Sequence, residues 1–338
     1  MESLPGRTLD RSAPALDPAA REFLAWLAVR EQRGDDPPSP HEVEGAGSLV
    51  SHVEKRRRRI TTPVGTIDLT ILRPAHAPSI LPAILYLHGG GWRFGDERTH
   101  EWLIAELATR ARAALVFVHY ALSHEAQHPV ALEQAYAALE WMASEGPSEG
   151  IRCDRIAIAG DSAGGNMAAV VSMLAAARGG PSIRQQVLFY PMTDALHEHE
   201  SVALFARGFY LTAGGLRDSV ARYAPDAEDR RHWMVSPLHA SECQLSGSPP
   251  TLIITAGFDP LRDEGERFGE RLSAAGVPVV TTRYPGMLHA FLTLRAMARS
   301  PAPKIAAAQA AFVLRGALHP ADSEPLTGNP NVNTQEHS

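Results

Sequence analysis

The chain has 338 residues, 44% of them apolar and 21% charged, with a formal net charge of −6. That length holds one large α/β domain with an accessory element, and the composition excludes a fibrous or wholly disordered chain. The charge gives nucleic acid little reason to bind, and two cysteines are too few for a disulfide framework or a thiolate zinc site.

The first residues, MESLPGRTLDRSAPALDP, lack the apolar stretch of a signal peptide, and no later apolar run approaches a membrane span, so a cytoplasmic protein is expected. Residues 18–33, PAAREFLAWLAVREQR, begin on a helix-favouring proline. They space Phe23, Leu24, Leu27 and Val29 for an amphipathic helix that ends at the breakers GDDPPSP. The run Lys55-Arg56-Arg57-Arg58-Arg59 precedes the alternating segment 60–74. It reads as the exposed start or edge of a strand, where like charges discourage edge pairing, with anionic surface binding as the alternative.

From residue 60 onward short β-rich runs alternate with longer helical ones. A pair of strands near 60–73 leads to strand 82–87 and a glycine turn at 89–91, then a helix near 99–112 and strand 114–120. A helix near 129–144, strand 155–160, helix 163–177 and strand 186–190 follow. Strands 251–256 and 278–284 flank a helix near 261–275, and 303–318 forms a last amphipathic helix. This alternation predicts an α/β fold with a mostly parallel sheet covered on both faces.

The segment 194–248 breaks the rhythm between two core strands and reads as a cap insertion over the C-terminal edge of the sheet, where open parallel sheets bind ligands. The expected organisation is thus an N-terminal cap region and linker over 1–50 and core over 51–193. The insertion over 194–248, core over 249–320 and a polar disordered tail over 321–338 complete it. Cys153 and Cys243 each read as a buried thiol, with a single disulfide as the alternative.

The chemistry concentrates in three places. Gly160-Asp161-Ser162-Ala163-Gly164-Gly165 lies between the apolar strand RIAIA and a helix-compatible run, so Ser162 is the expected nucleophile on a tight strand-to-helix turn. His289, just after the strand VVTTRY, is the candidate base. Asp259, just beyond TLIIT, is the candidate acid that orients it, with Asp263 and Asp194 as weaker alternatives. The order Ser, Asp, His is the known order of α/β hydrolases.

His88-Gly89-Gly90-Gly91-Trp92 follows an early strand, and its glycines let backbone amides approach an oxygen closely. The amides of Gly89, Gly90 and Ala163 are the expected oxyanion donors, with His88 bracing the loop. Phosphate-loop and dinucleotide spacings are absent. Trp92 either lines an acyl or alcohol pocket or packs beneath the loop. Phe205, Phe209 and Tyr210, in ALFARGFY, either touch substrate or support cap packing.

The motifs HGGGW (88–92), GDSAGGN (160–166), YP..D (190–194), GFDPLRDEG (257–265) and YPGMLHAF (284–291) occur in one order. On them the chain resembles the hormone-sensitive-lipase-like group of bacterial esterases, over about residues 15–318. The resemblance implies an α/β-hydrolase fold with eight core strands. It also implies a helical cap made from N-terminal helices and an insertion after the sixth strand. The implied activity is on short- or medium-acyl esters, with Ser162, Asp259 and His289 as triad and Gly89, Gly90 and Ala163 as oxyanion hole. A homodimer through 278–284 and 303–318 is implied as well.

Two departures stand out. Ala290 occupies a position that is often glycine after the catalytic histidine. The loop 120–129, YALSHEAQHP, lacks the arginine and proline of the family's YRLAPE-like segment. The imidazoles and carboxylates of 194–200 do not have HExxH spacing, so no metal and no cofactor is expected. The sequence thus predicts a serine carboxylesterase whose partners are a small ester and water. Acyl transfer or cleavage of an amide, lactone or specialised acetylated metabolite is the nearest alternative, and a non-catalytic small-molecule receptor is a distant one.

Overall fold

A computed structural model describes residues 15–45 and 52–320. The predicted tail 321–338 lies outside the described residues. In chain order the elements are α1 (Pro18–Arg33), α2 (Pro40–Val43), β1 (Val53–Thr62), β2 (Gly65–Pro74), β3 (Leu81–Leu87), α3 (Glu101–Ala111), β4 (Ala114–His119) and α4 (Val130–Ser144). They continue through β5 (Ile151–Asp161), α5 (Ala163–Ala177), β6 (Ile183–Phe189), α6 (Glu200–Leu204), α7 (Ala213–Tyr223) and α8 (Glu242–Leu245). The last are β7 (Thr251–Phe258), α9 (Arg262–Ala274), β8 (Val279–Leu288) and α10 (Ala302–Leu318).

The strands form one eight-stranded sheet in the order β1-β2-β4-β3-β5-β6-β7-β8. β1 and β2 are antiparallel, as are β2 and β4, while every pair from β4–β3 to β7–β8 is parallel. Alternation along each strand divides the core. In β3, Leu81, Ala83, Leu85 and Leu87 face a layer that includes α4, α5 and α9. Ile84 and Tyr86 face one that includes α1, α3 and α10. Burial on both faces explains why the central strands read as continuous apolar runs. α5 is buried along nearly its whole length, in keeping with its lack of a polar face.

Most elements fall where the sequence puts them. β5 begins at Ile151 rather than 155, because Ile151 pairs with Leu81 across a register shift that the polar Arg152–Arg155 stretch hides. β8 runs on through Pro285 and Gly286. It is the last strand of the order, where a proline leaves no neighbour unpaired.

β1 is the opposite edge strand, and its basic run is fully engaged. Lys55 pairs with Glu97 and Glu101, Arg56 and Arg58 with Glu149, Arg57 with Glu97, and Arg59 with Asp68. Such pairs are worth little individually at a surface, but they occupy the cations that an anionic partner would need. The expectation of buried thiols does not hold: Cys153 and Cys243 are both free and exposed. Cys153 sits on β5 before the strand enters the core, and Cys243 on the single-turn helix α8. Among the described residues no helix is long and apolar enough to cross a membrane.

Candidate active site

β5 ends and α5 begins around Ser162, whose backbone has φ 53° and ψ −118°. Such a conformation costs on the order of 1–3 kcal/mol for a residue with a side chain, and it persists only where the surroundings enforce it. Here the Ser162 amide donates to the Phe189 carbonyl at 2.9 Å, and the Ser162 carbonyl accepts from Asn166 and Met192. A Cβ on Gly164 would lie 2.0 Å from the Leu87 carbonyl oxygen, and one on Gly160 would lie 2.3 Å from the Gly164 oxygen. Only glycine at these positions lets the turn close against β3.

The turn carries Ser162 to the strand ends where β7 and β8 deliver the other two side chains. His289 Nε2 lies 3.0 Å from Ser162 Oγ, and His289 Nδ1 lies 2.7 Å from Asp259 Oδ2. Asp259 is fully buried, and its Oδ1 accepts the Leu261 amide at 2.9 Å. A carboxylate at Nδ1 keeps the proton there and leaves Nε2 as acceptor toward the serine. Tyr190 packs edge-on against the His289 ring at 5.0 Å and fixes its tilt. Asp263 and Asp194 are spent elsewhere. Asp263 pairs with Arg262 and accepts the Ser201 amide. Burial alone would raise the Asp194 pKa, but the bonds it accepts from His199 at 3.0 Å, the Leu196 amide at 3.0 Å and His239 at 3.1 Å outweigh that and lower it to about 2.

The glycine loop differs from the sequence expectation at one position. The Gly89 amide donates to Asp161 Oδ1 at 2.9 Å, so it is not available to a substrate oxygen. Asp161 approaches so closely that a Cβ on Gly89 would lie 2.3 Å from Oδ2. The amides of Gly90 and Gly91 have no partner among the described residues, and the Ala163 amide, first in α5, has none within its helix. His88 braces the loop: its Nδ1–H donates to the Gly89 carbonyl, and its ring stacks between Phe117 and Tyr120. Burial lowers its pKa to about 3, which keeps it neutral.

The aromatic candidates separate. Trp92 is 1% exposed and stacks face to face on Tyr223 of α7 at 4.1 Å, so it packs against the insertion and is not open to a ligand. Phe205 is buried edge-on against Phe258, with the Arg262 guanidinium over its ring, and serves cap packing. Phe209 is half-buried and stacks on Phe258, the residue before Asp259. Tyr210 packs on Phe23 of α1, and its hydroxyl donates to Glu44 Oε1 at 2.9 Å, which ties the insertion to the N-terminal segment. Glu44 is buried, which raises its pKa, and no sequence pattern singled it out.

Both sequence departures have local structural accounts. Ala290 has φ 61°, a left-handed conformation that glycine adopts freely and that costs alanine roughly 1–2 kcal/mol. The 120–129 loop lacks the family's arginine, yet it is tied down by Tyr120 Oη to the His88 carbonyl, by the Ala121 amide to Gln134, and by the Ser123 amide to the Trp92 carbonyl. Cavities of about 630 Å³ in the insertion and about 390 Å³ beside α1 include none of the three central side chains, and Ser162 is only 9% exposed.

Known proteins resemble this chain in sequence and in fold. A family model described as alpha/beta hydrolase fold matches residues 84–293. The carboxylesterase NlhH of Mycobacterium tuberculosis is 37% identical over 254 residues, 75% of this chain and 79% of that protein. An ethyl acetate hydrolase of Pseudomonas putida is 32% identical, covering 86% and 87% of the two chains. The crystal structure of a thermostable esterase, also from Pseudomonas putida, superposes with a TM-score of 0.85 at 40% identity, over 91% of this chain and 99% of that one. Identity of this order across nearly the whole chain, on the same sheet, makes this protein a member of the alpha/beta hydrolase fold family, in the hormone-sensitive-lipase-like group of esterases that its motifs resemble.

Proposed function

We propose that this protein is a serine carboxylesterase that cleaves short- to medium-acyl esters of small alcohols through an acyl-enzyme. The observation that carries this reading is the unbroken hydrogen-bonded series Ser162–His289–Asp259 at a strained strand-to-helix turn. His289 Nε2 takes the hydroxyl proton as Ser162 Oγ attacks the ester carbonyl, and Asp259 stabilises the imidazolium that forms. The amides of Gly90, Gly91 and Ala163 receive the oxyanion, with Gly91 taking the place expected for Gly89. Collapse expels the alcohol, which His289 protonates. Water, deprotonated by His289, then attacks the acyl-enzyme and releases the acid.

The acyl range draws support from the Pseudomonas putida relative named for ethyl acetate, a two-carbon acyl ester. Its test is hydrolysis of p-nitrophenyl esters from acetyl to dodecanoyl. A short-chain optimum is expected, and an optimum at dodecanoyl overturns the range. Phe209→Ala should then shift the optimum toward longer chains by opening space beside Phe258. Unchanged relative rates across the series remove Phe209 from the pocket.

A homodimer belongs to the same reading. β8 is an open edge with Val280 57% exposed, and the adjoining α10 exposes Ile305 and Phe312, at 57% and 80%. Apolar side chains along a free edge invite pairing with a second copy. Light scattering over a concentration series should give a dimer mass that Phe312→Glu reduces to that of the monomer. A wild type that stays monomeric at every concentration rejects the dimer.

A further inference from the structure

Asp161 adjoins Ser162 in the chain, is 3% exposed, and takes no part in the triad. Its Oδ1 accepts the Gly89 amide at 2.9 Å and the Tyr86 hydroxyl at 2.8 Å. His100, 2% exposed, places Nε2 3.1 Å from the same oxygen and 3.3 Å from Oδ2. The other ring nitrogen, Nδ1, lies 3.1 Å from the Asp96 carbonyl oxygen and 2.8 Å from Thr99 Oγ1, which itself lies 2.9 Å from that carbonyl. A carbonyl oxygen only accepts, so this contact calls for a proton on Nδ1, and the carboxylate calls for one on Nε2. An imidazole that donates from both nitrogens is an imidazolium.

The charge of this pair matters because of what Asp161 holds. Its carboxylate fixes Gly89, and the next amides in the same loop receive the negative charge that forms during ester cleavage. An unpaired buried carboxylate there would repel that charge strongly in a medium of low dielectric. We propose that His100 is a positioning residue for the oxyanion loop. Its imidazolium neutralises Asp161, so the carboxylate can anchor Gly89 without opposing the oxyanion. The proposal rests on the serine esterase reading above.

The surroundings bear on protonation as follows. Asp161 on β5 and Glu44 of the N-terminal segment favour the cation. His88 in the loop opposes it only when charged, and burial keeps it neutral. Tyr86 on β3 and Phe117 on β4 contribute rings. Burial by itself disfavours the imidazolium, but Asp161 outweighs it and raises the pKa to about 9. A raised histidine pKa contributes stability that is full below about 6.5 and lost as pH rises through about 9. The expected consequence is an alkaline limb in kcat over the same window.

The experiment measures kcat and KM for p-nitrophenyl ester cleavage from about pH 6 to about pH 10, corrected for uncatalysed hydrolysis and with far-UV circular dichroism at each pH. It compares wild type, His100→Gln, Asp161→Asn and the double variant. His100→Gln keeps a donor toward Asp161 but no charge. Its kcat is expected to fall by about tenfold or more with KM within about threefold, and the alkaline limb disappears. Asp161→Asn can still accept from Gly89 and donate to a neutral His100, and it should lose less activity and also lose the limb. The double variant, with no unpaired carboxylate, should recover by about threefold or more over His100→Gln.

A folded His100→Gln with wild-type kcat and an intact limb overturns the proposal, as does a double variant no better than His100→Gln. If His100→Gln fails to fold, persistence of the limb in Asp161→Asn overturns it. Failure of the esterase reading shows differently, as a wild type that turns over no ester at any pH, and the proposal falls with it.

Discussion

Ser162→Ala is expected to lower kcat by about 10⁴-fold or more while leaving the protein folded. The hydroxyl contributes one hydrogen bond, to His289 Nε2. The strained turn is enforced by backbone bonds to Phe189, Asn166 and Met192 and by the glycines around it, none of which needs the hydroxyl. Alanine tolerates the φ of 53° no worse than serine. The checks are steady-state rates, circular dichroism, and the mass shift on treatment with a fluorophosphonate, which should appear at Ser162 in wild type and vanish in the variant. Residual activity within tenfold of wild type, or labelling elsewhere, assigns the nucleophile to another residue.

Asp259→Asn should cost about 10⁴-fold in kcat, although it changes neither size nor shape. Both carboxylate oxygens now accept, Oδ1 from the Leu261 amide and Oδ2 from His289 Nδ1–H. Asparagine has one acceptor oxygen. If that oxygen keeps the Leu261 amide, its NH₂ faces Nδ1 and forces the proton onto Nε2, where it points at Ser162 and the imidazole can no longer act as base. Asp263→Asn is the control: its carboxylate is engaged with Arg262 and Ser201, so it should lose less than about tenfold. The reverse ranking of the two variants would transfer the orienting role to Asp263.

Legibility in the sequence followed the range of the interactions concerned. The serine turn was readable because its demands are local. A strand, small residues at Gly160 and Gly164 and a helix must follow one another directly, and the Cβ positions at those glycines show why no other residue serves. Asp259 and His289 were readable because each follows a β-rich run, so the ends of parallel strands bring them together although 97 and 127 residues separate them from Ser162 in the chain. Sheet and helix order followed from alternation between apolar runs and amphipathic ones.

Contacts without a local signature were not readable. His100 is a lone histidine ahead of a helix, and nothing nearby in sequence marks it as the partner of Asp161, 61 residues on. The hydrogen bond from the Gly89 amide to Asp161 likewise spans 72 residues and has no local signature. The sequence leaves Trp92 between pocket and packing, and Tyr223 of the insertion, stacked upon it, decides for packing. Thiols are buried on average, but the exposure of Cys153 and Cys243 depends on where β5 enters the core and which face α8 turns outward.

The sequence by itself determined the hydrolase core, the order of its elements and the identity of the three side chains that meet at the strand ends. These depend on periodicity and on steric demands satisfied within a few residues. Tertiary structure alone decided which loop amides stay free, how the buried charge of Asp161 is balanced, and which cap aromatics pack rather than line. Each of those outcomes is a competition between groups distant in the chain for one hydrogen bond, one counter-charge or one ring face, and only the folded arrangement brings the competitors together.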